Sequence, residues 1–131
     1  MPHRLALIVA LVAAVTAGGA CRRAPTSADI TIGLTVTPQA PVVGEAVAAQ
    51  LSLRDMRQRP IAGATVQLEA HMTHPGMAPV IEPAPDRGGG QYDASLSLTM
   101  AGDWVLFADV RTADGQRVRK EIGRLTARHG G

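Results

Sequence analysis

Seven residues, His71-Met72-Thr73-His74-Pro75-Gly76-Met77, hold two of the chain's four histidines and two of its five methionines. Imidazole and thioether side chains together point to one kind of chemistry above others. Thioether sulfur is a soft donor that favours Cu(I), and imidazole accepts copper in either oxidation state. A structural zinc site would want cysteine or several histidines, and the single cysteine, Cys21, lies far away in sequence. Within the segment, strand alternation separates the candidates. If a strand runs as far as residue 74, Met72 and His74 share one face and His71 takes the other. The expected ligand set is therefore Met72, His74 and Met77, closed by Met100 or His71. The same residues admit a second reading, in which the methionines plug the open end of a fold or meet a partner and the histidines are solvated at a strand end.

Other chemistries find no setting. Ser52, Ser95 and Ser97 sit in strand patterns without a nucleophile elbow. Asp86, Asp93, Asp103 and Asp109 are scattered, and no acid pair has a catalytic context. Asp103 is expected to cap a turn before Trp104. The run Arg87 to Gln91, RGGGQ, lacks the following helix and lysine of a phosphate loop. The chain is expected not to be an enzyme.

The elements that must carry these residues begin after an export signal. His3 and Arg4 form a short basic region, and Leu5 to Val15 is an unbroken apolar run, too short for a membrane span of roughly 20 residues and shaped like a secretory signal peptide. Ala17, Gly18, Gly19 and Ala20 lead into Cys21, which resembles the lipidated cysteine of a bacterial lipobox. The expected organisation is a lipoprotein-type signal peptide over 1–20, a lipid anchor and tether over 21–28, a single domain over 29–127, and a polar tail over 128–131 that includes His129. The protein is expected at the cell envelope as a periplasm-facing lipoprotein, or secreted if Cys21 is not lipidated. Each buried CH₂ of a lipid would add about 0.8 kcal/mol to the membrane anchor.

Without Arg4, 12 of the 13 basic residues remain against 11 acidic ones. A balance this close to neutral, with no basic run to track phosphates, argues against nucleic acid. The mature chain's only aromatic residues outside the histidines are Tyr92, Trp104 and Phe107, so Val, Ile, Leu and Ala must build the core. They do so at period two. Ile30, Ile32, Leu34 and Val36 alternate with polar residues or glycine, then Val47, Ala49, Leu51 and Leu53, then Val66 and Leu68 within 64–70. Residues 75–90, with four prolines and four glycines, read as loop or irregular edge strand. Alternation resumes at Tyr92, Ala94, Leu96 and Leu98. It continues after an Ala101-Gly102-Asp103 turn at Trp104, Leu106, Ala108 and Val110. Past the hairpin signal Ala113-Asp114-Gly115, Val118, Lys120 and Ile122 begin the last strand. About seven short strands without a helical period predict an all-β, immunoglobulin-like antiparallel sandwich, with Trp104 between the sheets. Strands alternating up and down would bring His71, Met72, His74, Met77 and Met100 to one end, with Met56 and the tether at the other.

The segments MTHPGMAPV (72–80) and GGQYDASLSLTMAGDWVL (89–106) resemble the YtkA-like family, small exported β-sandwich domains related to FixH-type proteins. The resemblance spans about residues 30–126. Because the FixH-like relatives are associated with copper delivery or assembly of haem-copper oxidases, it implies metal handling at the cell envelope. Two functions of different class follow as expectations: a copper-binding or copper-delivery module, and a non-metal protein-interaction module of an envelope complex such as an efflux system or oxidase. Copper is the one cofactor expected. The expected partners are that ion, an envelope protein complex, and the membrane through the N-terminal lipid.

Overall fold

The computed structural model describes residues 29–131. The expected signal peptide, Cys21 and the tether lie outside the described residues. Eight strands follow one another: β1 Thr31–Thr37, β2 Ala46–Arg54, β3 Thr65–Met72, β4 Val80–Pro83, β5 Asp86–Gly88, β6 Gln91–Ser97, β7 Gly102–Arg111 and β8 Arg117–Ala127. They form two four-stranded sheets in the orders β1-β2-β6-β5 and β4-β3-β7-β8, with every strand pair antiparallel. These are the sheet orders of an immunoglobulin-like sandwich.

Alternation explains both the layers and the core. In β2 the buried residues are Val47, Ala49, Leu51 and Leu53, each followed or preceded by a more exposed one. β7 buries Trp104, Leu106, Ala108 and Val110 in the same phase. Period two sends these side chains to one face, and the two inner faces meet in a single cluster that includes Tyr92, Leu68 and Leu96. Trp104 is 1% exposed within it, as its expected inter-sheet position requires. Tyr92 is buried too, and its hydroxyl donates to the Ile61 carbonyl at 2.8 Å and accepts from the Ala64 amide at 3.2 Å. That pins the loop between β2 and β3 to β6, and burial raises the phenol's pKa.

The structure refines the sequence reading in three places. The Pro/Gly-rich stretch 75–90 contains two short strands, β4 and β5, on the edges of different sheets. Between them Ala84 is buried and its amide donates to the Val66 carbonyl at 2.8 Å. Asp103 does not cap a turn: it already belongs to β7, pairs with Thr126, and accepts a 2.7 Å hydrogen bond from the Thr126 hydroxyl. Arg128 is tied down, its amide donating to the Pro41 carbonyl at 2.9 Å and its carbonyl accepting from the Val43 amide at 2.9 Å. The Ala113-Asp114-Gly115 hairpin forms as expected, with the Thr112 amide donating to the Gln116 carbonyl at 2.8 Å and Gly115 at φ +90°. A left-handed residue closing a three-residue hairpin loop is a common solution, and glycine meets it without strain.

Candidate functional site

Strand directions decide which candidates share an end. β3 runs antiparallel to β7, so the end of β3 lies beside the start of β7: Met72 pairs with Trp104. One residue further, the Thr73 amide donates to the Asp103 carbonyl at 3.1 Å. The connection from β6 to β7, which carries Met100, therefore sits at that same end. Met56, in the loop after β2, lies at the other end, as does the start of β1.

Each side chain there has a definable setting. β3 ends at Met72 and does not reach residue 74. Met72 is half-buried and packs against the core on the phase of Val66, Leu68 and Ala70. Its methyl lies where a side chain on Gly102 would be, 3.0 Å from an ideal Cβ there. Gly102 has φ +126°, so both backbone conformation and space favour glycine beneath that thioether. Met100 is anchored through its carbonyl, which accepts the Trp104 indole N–H at 3.0 Å, while the residue is 43% exposed. Pro75 and Gly76 form the turn after β3, and Gly76 has φ +82°. That is the value of position i+2 in a type II turn, which would bring the Cα atoms of residues i and i+3, His74 and Met77, within about 7 Å. His74 is exposed, and Met77 is 41% exposed.

His71 goes elsewhere. It lies on the outer face of the β4-β3-β7-β8 sheet, where its Nε2 is 2.8 Å from Glu69 Oε2. The same carboxylate oxygen accepts from Arg119 Nε at 3.1 Å and Nη2 at 2.7 Å. Arg119 also stacks over the Phe107 ring, 4.2 Å from its centroid, and the His71 ring meets Phe107 edge-on at 5.4 Å. Hydrogen bonds from Arg119, with a lesser one from His71, hold the Glu69 carboxyl below the usual carboxylate range. This cluster escaped the sequence reading. Period two puts Glu69 and His71 on one face, but their meeting with Phe107 and Arg119 depends on inter-strand register.

The end of the sandwich thus gathers Met72, Met100, His74 and Met77, while His71 faces away on the sheet. Among the described residues no three His, Cys, Asp or Glu side chains gather as a metal-binding group. A metal at this end would therefore rest mainly on thioethers. Three thioethers and one imidazole fit Cu(I) by donor softness.

A family model described as YtkA-like matches residues 25–108, well over half of the chain. The chain belongs to the YtkA-like family. No curated protein matches it in sequence. Among solved structures, this YtkA-like chain is similar to the Lin-41 filamin domain, at TM-score 0.57 and 16% identity, over 81% of this chain and 98% of that one. It is also similar to FdeC, an Escherichia coli adhesin, at TM-score 0.58 and 18% identity, over 79% of this chain and 32% of that one. A superoxide reductase from Ignicoccus hospitalis matches at TM-score 0.51 and 17% identity, over 81% of this chain and 87% of that one. At such identities these three show a shared sandwich fold and nothing about activity.

Proposed function

We infer that this YtkA-like domain is a copper-binding or copper-delivery module of the cell envelope, exported by its N-terminal signal and held to the membrane by lipid on Cys21. The observation that carries the reading is the exposure of Met77 and Met100, 41% and 43%, at the end where Met72 and His74 also lie. Methionines that plug a sandwich would be buried, because burial is what a plug contributes. These two residues are open to solvent. Met72, Met77, Met100 and His74 would hold the ion, and Cu(I) bound there would be a cargo. His71 is a weaker ligand candidate, since its Nε2 is committed to Glu69. The reading assigns the chain a carrying role, not a catalytic one.

The same exposure, with Ile81 at 49%, favours a second reading as a protein-interaction module of an envelope complex. Methionine-rich exposed surfaces suit adaptable protein contact. Competition for Cu(I) against a chromogenic chelator separates the two. The chain from residue 22 onward is the right sample, because the Cys21 thiol would itself take Cu(I). The copper reading expects one-to-one binding that is lost in a His74→Ala, Met77→Ala double variant. No binding, or equal binding by the double variant, would leave the interaction reading.

A further inference from the structure

Between β6 and β7 the chain has four residues, Leu98 to Ala101, and Met100 is one of them. Two hydrogen bonds fix this short connection. The Gly44 amide donates to the Leu98 carbonyl at 3.0 Å, and the Trp104 indole N–H donates to the Met100 carbonyl at 3.0 Å. Leu98 and Trp104 are both buried in the core. The backbone that bears Met100 is therefore held from inside the sandwich, while the residue itself is open to solvent. Of the two ties, the indole is the one that reaches Met100.

The residues that follow hold the other arm of the same end. Gly102 leaves the space that the Met72 methyl occupies. The Asp103 carbonyl accepts from the Thr73 amide at 3.1 Å, and Thr73 leads directly into His74 and Met77. The Asp103 carboxylate is itself held by the Thr126 hydroxyl at 2.7 Å. Trp104 joins the two arms. It pairs across the strands with Met72 and donates to Met100, so one buried side chain stands between the backbones that carry two of the thioethers.

We propose that Trp104 is the positioning residue of the copper site, setting the spacing of the Met72 and Met100 thioethers before the ion arrives. The proposal rests on the copper reading of this end. Ligands placed in advance bind more tightly, because less ordering is left to be done on binding. Groups that orient a metal's ligands without touching the metal commonly account for about 10–100-fold in affinity. Trp104 acts in that way, through its N–H on the Met100 carbonyl.

Trp104 is the chain's single tryptophan, so an analogue supplied in place of tryptophan replaces it alone. Benzothienylalanine keeps the bicyclic shape and puts sulfur where the indole has N–H, whereas 4-fluorotryptophan keeps the N–H. Chelator competition with the chain from residue 22 onward is expected to show Cu(I) bound about 10–100-fold more weakly by the benzothienyl protein. The fluorotryptophan protein is expected to bind as wild type does. Trp104→Phe, which lacks the donor by another route, is expected to match the benzothienyl protein. In the metal-free state the Met100 methyl resonance is expected to move toward its free-peptide position when the donor is absent. Val110→Ala, a core truncation at the far end of β7, controls for lost stability and is expected to leave Cu(I) affinity unchanged. Equal Cu(I) binding without the donor, an unmoved Met100 resonance, or the same loss in the fluorotryptophan or Val110→Ala protein would overturn the proposal and leave the copper reading standing. A wild-type protein that binds no Cu(I) would overturn both.

Discussion

His71 and Met72 are neighbours in sequence and lie on opposite sides of one sheet, and that parting separates a structural histidine from a ligand candidate. His71 is held by Glu69 and by the edge of Phe107. The exposed His74 and Met77 can be cut to alanine for less than about 0.5 kcal/mol each, as for surface sites away from special features. Half-buried Met72 should cost about 1–2 kcal/mol on truncation. Urea unfolding of the three single variants checks this order, and a large loss at Met77 would restore the packing reading. Glu69 makes a pH prediction. Because its folded pKa lies below the unfolded value, the stability it contributes is fully present above about pH 4.3. That stability is lost as pH falls from there through the folded pKa. Glu69→Gln should therefore lower stability at neutral pH and flatten its decline in acid, both measurable by denaturant unfolding across pH.

Among the elements, much was legible in advance. Alternation marked β1, β2, β3, β6, β7 and β8, because each buries one face and period two registers that fact directly in the sequence. β4 and β5 were legible only together, as loop or an irregular edge strand over 75–90; that the stretch holds two strands on different sheets was not. They are short edge strands set among prolines and glycines, and their pairing comes from neighbours and not from their own pattern. The Glu69–Arg119 pair was hidden for a related reason, since residues 50 apart meet only through the register of β3, β7 and β8. The ligand candidates were legible by type, and their common end by strand direction. The parting of His71 from Met72 was expected from period two, and it holds although β3 stops at Met72 and does not reach residue 74. Glycine positions make a further test at this scale. Gly90 has φ +77°, and a Cβ on it would lie 2.8 Å from both the Leu53 carbonyl oxygen and Pro60 Cβ. Gly90→Ala should cost about 2–3 kcal/mol, as strain at a special backbone position combined with overpacking does. Thermal unfolding would show it, whereas Gly89→Ala, with open space around it, should cost less.

For the whole molecule, polarity along the strand axis matters most. The described chain enters at the end that holds Met56, and Met72, Met77 and Met100 lie at the opposite end. In the proposed lipid-anchored protein this orients the methionine end away from the bilayer, toward whatever exchanges metal with it. A fluorophore placed at residue 77 of the lipidated protein on vesicles should be freely quenched by an aqueous quencher, and one at residue 56 should be more shielded. Reversed shielding would contradict that orientation. The central claim is that thioethers at this end carry Cu(I), and copper K-edge X-ray absorption of the loaded protein tests it most directly. The account predicts a first shell dominated by sulfur with a single nitrogen-type scatterer, and loss of the sulfur contribution in a Met72→Ala, Met77→Ala, Met100→Ala variant. A shell of nitrogen and oxygen alone, or a protein that cannot be loaded with Cu(I), would contradict it.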